Sequence, residues 1–371
     1  MGEKFFNFIN QILGTSIVKK IIENKYYSVL FLFFFTVFFS FPSYDIALYT
    51  NEMKESWDAI FLQAKEPFVN HNHLYSVGSH AEKLAFRFVP ALFLKVLGIK
   101  TIQGAFIFQL FTLLFECYCI VTLSRKYFRT QFAFLFGLCV SLTVCGHVYA
   151  SDYRGIFDTL AISLLLFGMI HMESIFLPII LLLGFYTDER ALIASASIPF
   201  FYFIVSKKEI NFQNIVKSKT VLLYVGSIIL YVIIRFWLKV QFGLEIGTGA
   251  IDYLSKQISK IPYSILVGLE GFTIVLYYFL RNNQIKTSYK ALYIIGILPI
   301  FLVALTVIDI NRSMSYILPY LFILFYFFYK NTRPDTIFKT LIIIFFLNMV
   351  YDDFYPFIIQ VYRMIYITKL I

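Results

Sequence analysis

Residues 82–97 read EKLAFRFVPALFLKVL. The segment is apolar enough to enter a membrane, yet Arg87 and Lys95 interrupt it and Pro90 lies between them. A crossing here would carry the basic loop Arg125-Lys126-Tyr127-Phe128-Arg129 to the outer side, against the Lys/Arg excess of inner loops. As an amphipathic helix lying on the outer surface, the same segment leaves every strongly basic loop on one side. It also gathers almost all loop carboxylates on the other. The reading adopted is a surface helix over 82–97 within a first outer loop spanning 43–100.

Working outward, apolar runs recur near 26–42, 101–123, 131–150, 156–172, 175–187, 191–205, 220–240, 261–280, 291–308, 313–329 and 337–351. A crossing needs roughly 20 residues at about 1.5 Å each, so the shorter runs must extend into the interface or tilt little. The expectation is all-α: a polytopic integral membrane protein with about eleven transmembrane helices, its N-terminus inside and its C-terminus outside. One transmembrane domain covers 1–371, without a separate soluble domain. The first run follows Lys19, Lys20 and Lys25 and has no small-residue cleavage site after Phe41-Pro42, which reads as a retained anchor.

Composition agrees. The chain is 59% hydrophobic and 15% charged, with a mean hydropathy of +0.75, whereas soluble domains carry about 45–50% apolar and about 25% charged residues. That balance excludes a soluble enzyme, a disordered protein and a nucleic-acid-binding module. The net charge of +10 chiefly records orientation, because the surplus sits in the inner loops. Cys117, Cys119, Cys139 and Cys145 lie inside apolar runs and read as small packing residues, neither a zinc site nor a disulfide framework.

The scarce polar residues cluster at the outer helix ends. Ser43-Tyr44-Asp45 follows the first run, where an aspartate can simply end a helix at water. Ser151-Asp152-Tyr153-Arg154 precedes Asp158, a carboxylate one turn inside the fourth run that must face a cavity or a partner. Arg154, four residues earlier, is placed to pair with it. Thr187-Asp188-Glu189-Arg190 is a tight turn that can cap helices, or hold a metal or a hydroxyl nucleophile. Asp309-Ile310-Asn311-Arg312 is another, and Arg312 suits a phosphate fork. Arg235 and Lys239 either hold a lipid phosphate or snorkel to headgroups. The first loop adds His71, His73 and His80; no Cys or Asp spacing accompanies them, so a single His bonding an acceptor or phosphate is preferred to a metal site. Glu116 and Glu270 are the mid-span carboxylates. No pair of broken helices stands out, as an inverted-repeat carrier would show.

This layout resembles the C-type (GT-C) superfamily of polytopic membrane glycosyltransferases, which use polyprenyl-phosphate-linked sugar donors. Asp45 matches the aspartate that opens the family's first outer loop, and 82–97 matches that loop's membrane-lying helix. The stretch Tyr153 to Gly168 looks like the second outer loop entering the fourth span. The Thr187–Arg190 turn, followed by Ala191-Leu192 and Pro199, looks like the third. The resemblance covers roughly residues 26–205, and without a C-terminal soluble domain the chain would be a remote member.

The resemblance implies transfer of a sugar to an acceptor hydroxyl on the outer (periplasmic) face. Such a displacement needs a carboxylate base, cations that stabilise the departing phosphate and a groove for the polyprenyl tail. Asp45 is the leading base, with Asp158 or Asp188 as second carboxylate. Glu189, Arg190, Arg154, Asp152, His80, Arg235 and Arg312 are the candidate substrate-binding residues. The residues single out no certain cofactor, and a divalent cation is the one the acidic turns could accommodate. The expected partners are the polyprenyl-phosphate sugar donor, a lipid, glycan or protein acceptor, and membrane lipids, in a bacterial inner membrane. Two other readings remain open: a lipid-linked glycan polymerase or ligase, and a transporter or flippase of a lipid-linked or anionic solute.

Overall fold

The computed structural model describes residues 2–40, 54–71, 74–75, 84–148, 152, 155–206, 212–245, 257–307 and 309–350, and these contain helices and no strand. In chain order the helices are α1 (Gly2–Leu13), α2 (Ser16–Glu23), α3 (Lys25–Ser40), α4 (Lys54–Lys65), α5 (Phe88–Val96), α6 (Ile102–Tyr127) and α7 (Thr130–Ser141). Then come α8 (Asp158–Ile170), α9 (Leu177–Phe185), α10 (Arg190–Ala194), α11 (Ser197–Ser206), α12 (Phe212–Lys217) and α13 (Lys219–Phe242). The last are α14 (Ile261–Leu269), α15 (Thr273–Arg281), α16 (Thr287–Leu305), α17 (Ile310–Met314), α18 (Leu318–Lys330) and α19 (Pro334–Asn348).

Local chemistry sets many of these ends. The Thr101 hydroxyl accepts the Gly104 N–H at 3.1 Å and starts α6, as an N-cap should. Proline stands in the first turn of α9, α14, α18 and α19, where its missing N–H costs nothing. Gly243 closes α13 at φ 62°, the left-handed cap that glycine adopts without strain.

Among the described residues, four helices are long and apolar enough to cross a membrane: α6, α13, the α14–α15 pair taken as Ile261–Arg281, and α16. α2 and α3 reach that length only when taken together, and a 104° bend between them turns α2 out of the line of α3. The sequence reading expected about eleven. Each expected run does contain a helix, but α7, α8, α9 and α18 hold only 9 to 13 residues. At about 1.5 Å per residue they fall short of roughly 30 Å of hydrocarbon. Apolar length had counted turns and 3-10 segments as helix.

The surface-helix reading of 82–97 also changes. The helix begins only at Phe88, and Phe88, Val89, Pro90, Ala91 and Leu94 are buried, so α5 is packed against the bundle over its first half.

α6 is the spine. At 26 residues it is about 39 Å long; α8 and α3 lie against it, and α9 packs between α8 and α13. Its two ends differ in character. Near its start, Gln109 donates to the carbonyls of Asp152 (2.7 Å) and Ile156 (3.0 Å). Near its finish, Arg125 donates to the Ile22 and Glu23 carbonyls and to the Ser28 hydroxyl, pinning the α2–α3 corner. Acidic loops and the basic elbow therefore occupy opposite ends of one helix.

Two helices are interrupted where they meet. The chain turns irregularly at 142–147 after α7, and Glu270–Phe272 breaks α14 from α15. The Val144 N–H donates to Glu270 Oε1 at 2.7 Å, and Glu270 sits at φ 44°, unfavourable for a residue with a side chain. Asn348 of α19 bridges the two breaks, accepting from Gly271 N–H (2.8 Å) and donating to the Cys139 carbonyl (3.0 Å). The sequence reading saw no pair of broken helices; both breaks sit inside apolar runs, marked only by Glu270 in one and by Gly146 and His147 in the other.

Candidate active site

The turn after α9 organises the site. Tyr186 stacks on Phe88 at 4.7 Å, its carbonyl accepts the Val89 N–H (3.2 Å), and its hydroxyl donates to the Tyr231 carbonyl at 3.0 Å. These contacts bind the turn to the start of α5 on one side and to α13 on the other. Asp188 then accepts the Arg190 N–H at 2.9 Å, an aspartate turn that starts α10 and fixes both side chains.

Asp188 is buried and enclosed by arginines. Arg190 reaches it bidentately, Nε to Oδ1 at 2.8 Å and Nη2 to Oδ2 at 2.7 Å. Arg87 Nη1 reaches Oδ2 at 2.8 Å and Arg312 Nη2 lies at 3.6 Å. Burial alone would raise this carboxyl, but the Arg190 and Arg87 guanidiniums outweigh it and hold Asp188 well below the usual carboxylate range. Burial would likewise lower Arg87 and Arg190, and their carboxylate neighbours instead hold both firmly charged.

Asp158, the first residue of α8, is the second anchor and is also buried. Its Oδ1 accepts from Arg190 Nη2 at 2.8 Å, from the Tyr316 hydroxyl at 2.9 Å and from Arg312 Nη2 at 3.4 Å. Arg312 Nε pairs with Oδ2. Arg190 also donates to the Ser313 hydroxyl at 3.0 Å and lies over the Tyr316 ring at 4.9 Å. Arg312 is aimed by Asp309, which caps α17 by accepting the Arg312 N–H at 3.2 Å.

Glu189 carries the network outward. It accepts from Arg87 Nε and Nη2 at 2.9 Å each, while Arg235 Nη2 stands 4.0 Å away. Arg235 lies over Phe86 at 4.3 Å and pairs with the Tyr231 hydroxyl. Its side chain is 29% exposed, against 11 to 15% for the other three arginines. It is therefore the most open cation of the cluster. Arg235 belongs to α13, of whose apolar window only 17% is buried; Ile229, Val232, Ile233 and Phe236 face outward.

Asp152 sits beside this network and outside it. Its Oδ1 accepts the Asp158 N–H at 3.3 Å, and Oδ2 has no hydrogen-bond partner among the described residues. Burial, reinforced by the Asp158 charge, pushes its carboxyl well above the usual range. A small pocket lined by Arg87, Pro90, Gly155, Ile156, Asp188 and Arg312 opens onto the cluster.

No family model, no curated protein and no solved structure matches the chain.

The structure thus brings together Asp158, Asp188, Glu189, Arg190, Arg235 and Arg312, with Asp152 adjacent. Asp45, His80 and Arg154 lie outside the described residues. Asp158, expected to pair with its near neighbour Arg154, has Arg190 and Arg312 as described partners, from turns far along the chain. Asp188 and Glu189 both turn to arginines, and among the described residues no three His, Cys, Asp or Glu side chains group to hold a metal ion. Sequence reasoning missed Arg87, Tyr316 and Ser313. Arg87 looked like an interruption of an amphipathic helix; a lone arginine between Phe86 and Phe88 was the available signal. Tyr316 and Ser313 carried none.

Chemically, four guanidiniums meet three carboxylates in this contact network. Among the described residues one cation is in excess, in a site walled by apolar helices, where fixed charges act more strongly than in water. The arrangement favours an anionic group at the Arg235 edge. Asp158 and Asp188 are fully engaged as acceptors, which suits them to orient arginines more than to take a proton.

Proposed function

We propose that this chain is a membrane glycosyltransferase of the C type, moving a sugar from a polyprenyl-phosphate-linked donor to an acceptor hydroxyl on the outer face. The observation that carries the reading is the convergence of acidic and arginine-bearing turns from five chain segments into one cluster with a cation in excess among the described residues. Adventitious helix capping would leave such charges apart.

In this reading the cluster binds the donor phosphate. Arg235 meets it first, and Arg312 and Arg87 stabilise it as it departs. The exposed apolar face of α13 lies beside the polyprenyl tail. Asp45 accepts the proton of the acceptor hydroxyl; the oxygen attacks the anomeric carbon, the carbon–oxygen bond to phosphate breaks, and the lipid phosphate leaves with the electron pair. Asp158 and Asp188 hold the arginines in register. A polytopic layout with the N-terminus inside, in a bacterial inner membrane, belongs to the same proposal. It places the cluster outside, because the basic elbow at the other end of α6 follows the positive-inside rule.

The test is sugar transfer in proteoliposomes with a defined polyprenyl-phosphate sugar. Arg312→Ala should lower turnover by about 10²–10³, the usual cost of a preorganised donor, and Asp45→Asn should abolish it. Normal transfer by both variants would sink these assignments. The paired helix breaks joined through Glu270 favour one second reading, a flippase or transporter of a lipid-linked or anionic solute. Movement of the donor across the bilayer without transfer would select it.

A further inference from the structure

The first two helices carry a surface that the cluster does not use. On α1, Phe6, Ile9 and Leu13 pack against the protein, Phe6 under Lys339 at 5.9 Å. A second stripe, Phe5, Phe8 and Ile12, follows at the same helical spacing and is exposed, Phe8 by 57%. Ile17 of α2 and Tyr26 at the start of α3 continue it, 73% and 68% exposed. The polar residues Asn7, Asn10 and Gln11 take the opposite side of α1.

The direction of α2 is fixed, and α1 rests on α19 through Phe6 and Lys339 and through Phe5 and Phe346, whose rings are 5.6 Å apart. α2 meets α3 at 104°, so when α3 crosses the membrane α2 lies along its surface. Arg125 locks that corner through three acceptors, and Lys25 lies over the Tyr118 ring at 4.1 Å. Lys4, Lys19 and Lys20 are exposed beside the apolar stripe, with Lys126 and Arg129 on the neighbouring turn. Glu3 and Glu23 are the opposing charges on these two helices, Glu23 within 3.8 Å of Lys19. Cations outnumber anions along the elbow. An aromatic stripe flanked by lysines in the plane of the bilayer is the chemistry of an interfacial helix on anionic lipid.

We infer that α1 and α2 form an interfacial elbow that seats Phe5, Phe8 and Ile12 among anionic phospholipids, in the leaflet opposite the arginine–carboxylate cluster. The inference stands whatever reaction the cluster performs.

The experiment uses the full chain in nanodiscs of phosphatidylglycerol or phosphatidylcholine, with nitroxide labels at Phe8→Cys or Asn7→Cys. Both positions are exposed, and the four native cysteines are buried, so labelled wild type supplies the blank. In phosphatidylglycerol the label at 8 should be reached by oxygen and shielded from a water-soluble nickel reagent, at a depth of about 5–10 Å; the label at 7 should be open to nickel. In phosphatidylcholine, or with Lys4, Lys19 and Lys20 changed to Gln, the shielding at 8 should fall at least twofold. Equal nickel access at both positions would overturn the elbow's placement. Shielding that ignores lipid charge would overturn the anionic partner.

Discussion

Asp188 has more arginine contacts than any other described carboxylate, with Arg87, Arg190 and Arg312 all within 3.6 Å of its oxygens. Removing it leaves three guanidiniums without their shared anion, and breaking a buried pair from one side costs about 3–5 kcal/mol. Asp188→Asn and Arg87→Met should therefore each lower thermal stability in detergent by that order; unchanged unfolding would show the cluster to be loosely held. The pH dependence follows from direction. Asp188 is held below the ordinary carboxylate value of about 3.9, so its contribution is complete above that value and is lost as pH falls further. Asp152 behaves oppositely. Its carboxyl is raised, so the folded state keeps a proton that the unfolded state releases, and the group costs stability as pH climbs from about 3.9 toward its folded value. Asp152→Asn should leave stability at pH 7 equal or higher and remove that part of the pH dependence in thermal melts. Asp158, Asp188, Arg190 and Arg312 were legible in the sequence because charge inside apolar sequence is costly and demands a partner. Which partner was not legible: Arg312 reaches Asp158 across 154 positions, and no local spacing encodes that.

At the scale of elements, apolar runs predicted where helices form and overestimated how long they are. The run at 131–150 contains a 12-residue helix and then turns at 142–147 that still include Leu142, Val144 and Cys145. Helix length there is limited by tertiary contacts, since the freed backbone at Val144 is satisfied by Glu270 and not by its own turn. Such breaks are tolerated at membrane depth only where protein satisfies them. Gly271 shows how tight the junction is. A Cβ at this position would meet Asn348 Oδ1 at 2.5 Å and Ile344 Cα at 3.2 Å, displacing the amide that bridges both breaks. Gly271→Ala should accordingly lower the thermal midpoint and raise amide exchange around 142–147, although the cluster residues are untouched. A wild-type midpoint with wild-type exchange would show that the bridge is incidental.

Across the whole molecule, charge is sorted along α6. Its start is tied by Gln109 to the loop that carries Asp152 and Asp158, and its finish is tied by Arg125 to the basic elbow. The separation of basic from acidic segments was readable in the sequence as a bias of Lys and Arg between loops, since that bias is a property of composition. The joining of five segments at one end was not, because it depends on how α5, α8, α10, α13 and α17 pack. The central claim is that the Arg235 edge of the cluster receives a polyprenyl phosphate from the side of α13. The most direct measurement is photocrosslinking of a short polyprenyl-phosphate analogue bearing a diazirine next to the phosphate, followed by peptide mapping. Labelling should concentrate on 86–90, 231–239 and 310–316, be displaced by unlabelled lipid phosphate, and drop at least tenfold in Arg235→Ala. Labelling spread evenly over the lipid-facing helices, or unchanged in that variant, would contradict the account.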